Sequence, residues 1–174
     1  MVKWALVFSF ALCLSVIGSE SKRFPVWEMI DVNKKPFVIP SDLKGKPSIL
    51  YMGFSREGGE RVNQWLDRAL DRVPTQSVNH VNVVVGDVPF FVERFIINGI
   101  KEGPYYPRGV KVGLYFNDAE DILLSYPIRP TGDVSIMVLS PVGDVVYQTG
   151  GVVTTQNMEQ LMMALKAVNK KEGE

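Results

Sequence analysis

Residues Ser48-Ile49-Leu50-Tyr51-Met52-Gly53-Phe54 form a continuous apolar run of strand length, the pattern of a central strand buried on both faces. A second such run, His80-Val81-Asn82-Val83-Val84-Val85, is rich in β-branched side chains that suit a buried pleat. Between the two the period changes. From Glu60 onward Val62, Trp65, Leu66, Ala69 and Leu70 recur at helical spacing, with Arg61, Asp67, Arg68 and Asp71 on the other side. Gly58-Gly59 reads as the break between strand and helix, and Pro74 follows the helix end.

After the second strand, Gly86-Asp87 closes the run; Asp87 is placed to cap a helix and Pro89 suits its first turn. Phe90, Phe91, Phe95, Ile96 and Ile97 make that helix bulky and apolar up to Gly99. A Pro- and Tyr-containing loop, residues 103–109, leads to a strand over 111–116 and a short helix over 118–125. Residues 134–139 and 144–148 read as strands joined by the turn Ser140-Pro141-Val142-Gly143. Thr154 or Thr155 then caps a last helix carrying Leu161, Met162, Leu165 and Val168. Near the start, Pro36-Phe37-Val38-Ile39 is a short strand bounded by Pro40. The order is βαβα, an inserted strand and helix, then ββα. Strands that alternate with helices are expected to be parallel, and the hairpin adds antiparallel ones.

With 174 residues, 46% hydrophobic and 22% charged, the chain suits one domain with a substantial core. Its 19 basic and 19 acidic residues cancel, which argues against a nucleic-acid partner. The N-terminus departs from this average. Lys3 precedes a charge-free apolar run from Trp4 to Gly18, followed by small residues, the layout of a secretory signal. Residues 1–18 are therefore expected to be a signal peptide, 19–25 a linker, 26–169 the folded domain and 170–174 a polar tail. The run is shorter than a membrane span needs; if it is not cleaved, it anchors the protein to the membrane. Cys13, the chain's one cysteine, lies inside this run after Leu12, so cleavage leaves a domain without a thiol. The expected location is periplasmic or secreted.

The element order resembles the thioredoxin-like superfamily over about residues 24–168. Leu43-Lys44-Gly45-Lys46-Pro47-Ser48-Ile49-Leu50 is similar to the approach to the first core strand in extracytoplasmic thiol–disulfide oxidoreductases and peroxiredoxins. The hairpin over residues 136–146, with Gly143, and Gly150-Gly151 before the last helix are similar too. The resemblance implies a thioredoxin-like three-layer α/β/α sandwich with a mixed central sheet and a C-terminal β-hairpin plus helix. It also implies where the chemistry belongs. Counted without gaps from Gly45-Lys46, the two cysteines of the family motif fall on Glu57 and Glu60. Disulfide exchange requires a thiolate, and neither residue supplies one. The family's cis-proline falls near Val134, whereas Pro130-Thr131 lies upstream. Assembly factors for the membrane sector of the ATP synthase also lack the two cysteines, and residues 43–65 bear a distant similarity to their Gly-containing segment leading to a Trp.

Glu57 and Glu60 can be read as an acid–base or cation-holding pair, or as acidic side chains favoured by a helix N-terminus. Gly58-Gly59 lacks the spacing and Lys of a phosphate loop. His80 is the lone histidine, with no second His or Cys to complete a metal or catalytic site. Asn117-Asp118-Ala119-Glu120-Asp121 lacks calcium-loop spacing, and Ser55 has no nucleophile-elbow context. Tyr105-Tyr106 is either an exposed patch or a cover for the core. The expectation is a redox-inactive binding or assembly module with no cofactor, no metal and a protein partner. Its surface is expected at Ser55, Arg56, Glu57, Gly58, Gly59 and Glu60 together with Arg129, Pro130 and Thr131, loops at the carboxyl ends of adjacent strands. The alternatives are a thiol-independent enzyme and a divergent oxidoreductase relative.

Overall fold

The apolar run at residue 48 becomes the middle of an eight-stranded sheet. The computed structural model describes residues 22–116 and 133–171. In chain order these hold β1 (Lys22–Arg23), β2 (Trp27–Ile30), β3 (Pro36–Ile39), β4 (Ser48–Gly53), α1 (Arg56–Leu70), β5 (Asn79–Val85), α2 (Phe90–Glu102), β6 (Lys111–Tyr115), β7 (Val134–Leu139), β8 (Asp144–Gly150) and α3 (Thr155–Lys171). The strand order is β1-β8-β7-β4-β5-β6-β2-β3. β4, β5 and β6 are parallel, as the alternating pattern predicts; the pairings of β7 and β8 and of the β2–β3 hairpin are antiparallel.

Period-two alternation along β4 divides the core. Ile49 and Tyr51 point into one cluster with Val62, Trp65 and Leu66 of α1 and Met158, Leu161 and Leu165 of α3. Leu50 and Met52 point the other way, among Trp27, Met29, Phe37 and Ile39 of the hairpin. α2 joins the helical face through Ile97, which packs with Val112 and Leu114 of β6. The hairpin crosses the second face close to β6. A Cβ on Gly113 would overlap Met29 Sδ and lie 3.1 Å from Phe37 Cδ1, so glycine is what lets the sheet curl there.

Several boundaries differ from the sequence expectation. α1 begins at Arg56, not Glu60, so Gly58-Gly59 lies in its first turn and is not a break. Asp87 does not cap α2; the helix starts after Pro89 without a side-chain cap and runs to Glu102, past Gly99. β2 is a strand that the sequence pattern does not mark: Trp27 and Met29 are buried on either side of exposed Glu28, but the alternation spans only four residues. Lys22 and Arg23, within the expected linker, pair with Val145 and Asp144 of β8. Of the two threonines at the start of α3, Thr154 makes the cap: its Oγ1 accepts from Asn157 N (3.2 Å) while Asn157 Oδ1 accepts from Thr154 N (2.7 Å). The expected signal peptide, the expected helix over 118–125 and the acidic run from Asn117 lie outside the described residues.

Candidate functional site at the junction of β4 and α1

β4 ends at Gly53 and the chain turns into α1 through Phe54 and Ser55. Ser55 is the N-cap, with extended backbone, and its Oγ accepts a hydrogen bond from Gly58 N at 2.9 Å. That satisfies one of the amides left unpaired at a helix start. The same hydroxyl donates to Asp133 Oδ2 at 3.2 Å, and Asp133 O accepts from Phe54 N at 3.0 Å. Asp133, the residue before β7, has a positive φ of 62°. The start of β7 is thus tied twice to the start of α1. The approach is close enough that a Cβ on Gly58 would collide with Asp133 O, and one on Gly53 would lie 2.8 Å from Gly59 N.

The side chains that this junction presents are Arg56, Glu57 and Glu60, all exposed. Glu57 lies in the first turn of α1, where the helix dipole favours a carboxylate. Asp133 adds a second acidic group at the same helix end. No cysteine occurs in residues 22–174, so the junction has no thiolate to offer. Of the expected surface, the structure brings together Ser55, Arg56, Glu57, Gly58, Gly59 and Glu60; Arg129, Pro130 and Thr131 lie outside the described residues. Sequence reasoning missed Asp133. Its signal was present: an Asp before a strand, whose short polar side chain tolerates a positive φ better than most.

The other candidates have structural roles. His80 is fully buried; its Nε2 donates to Val73 O (3.1 Å), which leaves Nδ1 to accept from the Tyr51 hydroxyl (2.8 Å). Burial lowers its pKa to about 4, opposed by the hydrogen bond to Val73, so the imidazole is neutral with both nitrogens engaged. Among the described residues no group of three His, Cys, Asp or Glu side chains is placed to hold a metal ion. Tyr105 packs against the helical core, its hydroxyl donating to Asn63 O at 3.2 Å, and Tyr106 packs beside α2. This pair covers the core.

Structural comparison fits this layout. The thioredoxin domain of a thiol-disulfide oxidoreductase from Bacteroides vulgatus aligns over 85% of this chain and 96% of its own, with a TM-score of 0.60 at 19% identity. The chain has a thioredoxin-like fold. An exposed lipoprotein thioredoxin of Streptococcus pneumoniae covers 80% of this chain and 98% of its own (TM-score 0.54, 18% identity). A Chlorobium tepidum protein described as the thiol:disulfide interchange protein DsbE covers 83% and 96% (TM-score 0.55, 14% identity). No protein-family model and no curated protein sequence matches the chain. The similarity to ATP synthase assembly factors has no counterpart among these three structures. On the thioredoxin-like frame, the β4–α1 junction and the start of β7 sit side by side at the carboxyl end of the sheet, the edge where open α/β sheets bind their ligands.

Proposed function

We propose that this domain is a divergent relative of the thiol–disulfide oxidoreductases that uses its α1 edge to recognise a protein and carries out no redox chemistry there. One observation carries the reading. The two positions that the sequence resemblance gives to cysteines are Glu57 and Glu60, exposed in the first turns of α1, while Ser55 and Asp133 close the junction with hydrogen bonds. The structural likeness to oxidoreductases supports the relationship; the missing thiol supports the loss of exchange chemistry. The signal-like residues 1–18 support a place outside the cytoplasm, and among the described residues no helix is long and apolar enough to cross a membrane. A narrower role in building the membrane sector of the ATP synthase rests on the similarity of residues 43–65.

The test is a photo-crosslinking residue at Gly59, exposed and with open space around its Cα, used in the native envelope. The reading expects a discrete adduct that weakens with Arg56→Glu and with Arg129→Glu while the thermal melt is unchanged. An adduct indifferent to both substitutions places the partner surface elsewhere. Normal ATP synthase assembly in a deletion strain removes the narrower role and leaves the broader one standing.

A further inference from the structure

α2 presents an unusual outer face. Phe90, Phe91 and Phe95 are 80%, 71% and 75% exposed, although aromatic side chains are normally the bulk of a buried core. Phe91 and Phe95 are four apart and therefore neighbours on one side of the helix. Ile97 holds the opposite side against β6. The rings border an open groove of about 850 Å³ between α2 and the turn of the β2–β3 hairpin, whose charged lining is Lys34, Arg94, Lys101 and Glu93. Lys34 Nζ stands 5.9 Å from the Phe90 ring centroid. Among the described residues, three cations in the lining thus face one carboxylate. Of the described acids nearby, Glu93 alone lines the groove; Asp31 is turned to the amides of Asn33 (2.7 Å) and Lys35 (2.8 Å) within the hairpin turn.

We propose that this face is a peripheral docking surface for an anionic lipid bilayer, with the three rings entering the headgroup boundary and Lys34, Arg94 and Lys101 meeting lipid phosphates. Exposed rings flanked by cations are what an interfacial site needs. The three-to-one excess of cations in the lining favours an anionic surface. β4, β5 and β6 are parallel, so α1 and α2 both start at the carboxyl edge of the sheet. Ile30 pairs antiparallel with Leu114 of β6, so the hairpin turn runs back toward the start of β6, where Asn33 Nδ2 donates to Tyr106 Oη at 3.3 Å. The bilayer contact depends neither on what Ser55–Glu60 bind nor on residues 1–18.

The experiment uses the full chain with Cys13→Ser and an environment-sensitive dye on Asn98→Cys, an exposed position between the rings and Lys101. The dye reports on α2 even if residues 1–18 also insert. Vesicles of phosphatidylglycerol and phosphatidylcholine are expected to shift its emission to the blue, and phosphatidylcholine alone far less. Phe91→Ser with Phe95→Ser, and separately Arg94→Glu with Lys101→Glu, are expected to lower the partition about tenfold or more, with unchanged circular dichroism. Sedimentation with vesicles and no dye shift means that the N-terminal segment alone binds, and overturns the proposal. A dye shift that grows with protein concentration in the absence of lipid makes the patch a contact between copies or with another protein, and overturns it equally.

Discussion

Ser55 and Asp133, 78 residues apart, share a hydrogen bond of 3.2 Å at the junction of α1 and β7. The same hydroxyl accepts from Gly58 N at 2.9 Å, so one serine both caps the helix and holds the adjoining loop. Ser55→Ala is expected to lower stability by about 1 kcal/mol through loss of the cap. Ser55→Asp keeps a capping acceptor but sets a carboxylate against Asp133, and is expected to recover part of that loss at high salt and little at low salt. Urea titrations at two ionic strengths distinguish the two effects.

The paired glycines of α1 are expected to respond oppositely to the same substitution. Gly58→Ala forces a methyl group into Asp133 O, a backbone atom that can move only with β7, and is expected to cost about 2 kcal/mol or more. Gly59→Ala meets nothing within 4 Å and is expected to stabilise the helix by about 0.5–1 kcal/mol. Chemical denaturation of the two variants reads both signs.

His80 makes stability pH-dependent. Its folded pKa of about 4 lies below the ordinary 6.5, chiefly because burial disfavours the charged ring. The unfolded chain therefore takes up a proton that the folded chain refuses. Its contribution is complete above pH 6.5 and is lost as the pH falls toward 4. Between about pH 7 and pH 5 the loss is about 2 kcal/mol. His80→Gln should flatten the profile in this window, at the cost of the Tyr51 and Val73 contacts. Thermal melts across the range measure the slope.

Much of the fold was legible because its signals are local and repeated. The runs at residues 48–54 and 80–85 are long, apolar and bounded, and Trp65 and Leu66 mark the buried face of α1 by spacing alone. β2 was hidden because it is short and makes its strand contacts with β3 and with a single residue of β6. The start of α1 was misplaced for a different reason. Two glycines look like a break in a sequence, but here Gly58 is required inside a helix by the closeness of Asp133, a tertiary fact. The turn from β4 into α1 was legible between Phe54 and Glu60. Its closure by Asp133 depends on a contact across 78 residues that no local pattern encodes.

The central claim is that the β4–α1 junction keeps the frame of a thioredoxin-like site while the thiol chemistry is gone. Thiol–disulfide exchange measured on the Cys13→Ser chain, with and without Glu57→Cys and Glu60→Cys together, tests it most directly. The account predicts no exchange above the uncatalysed rate without the graft. With the graft it predicts an intramolecular disulfide, seen as the loss of two hydrogens by mass, and measurable reduction of a disulfide substrate. Exchange by the ungrafted chain, or a folded graft that forms no internal disulfide under oxidant, would contradict it.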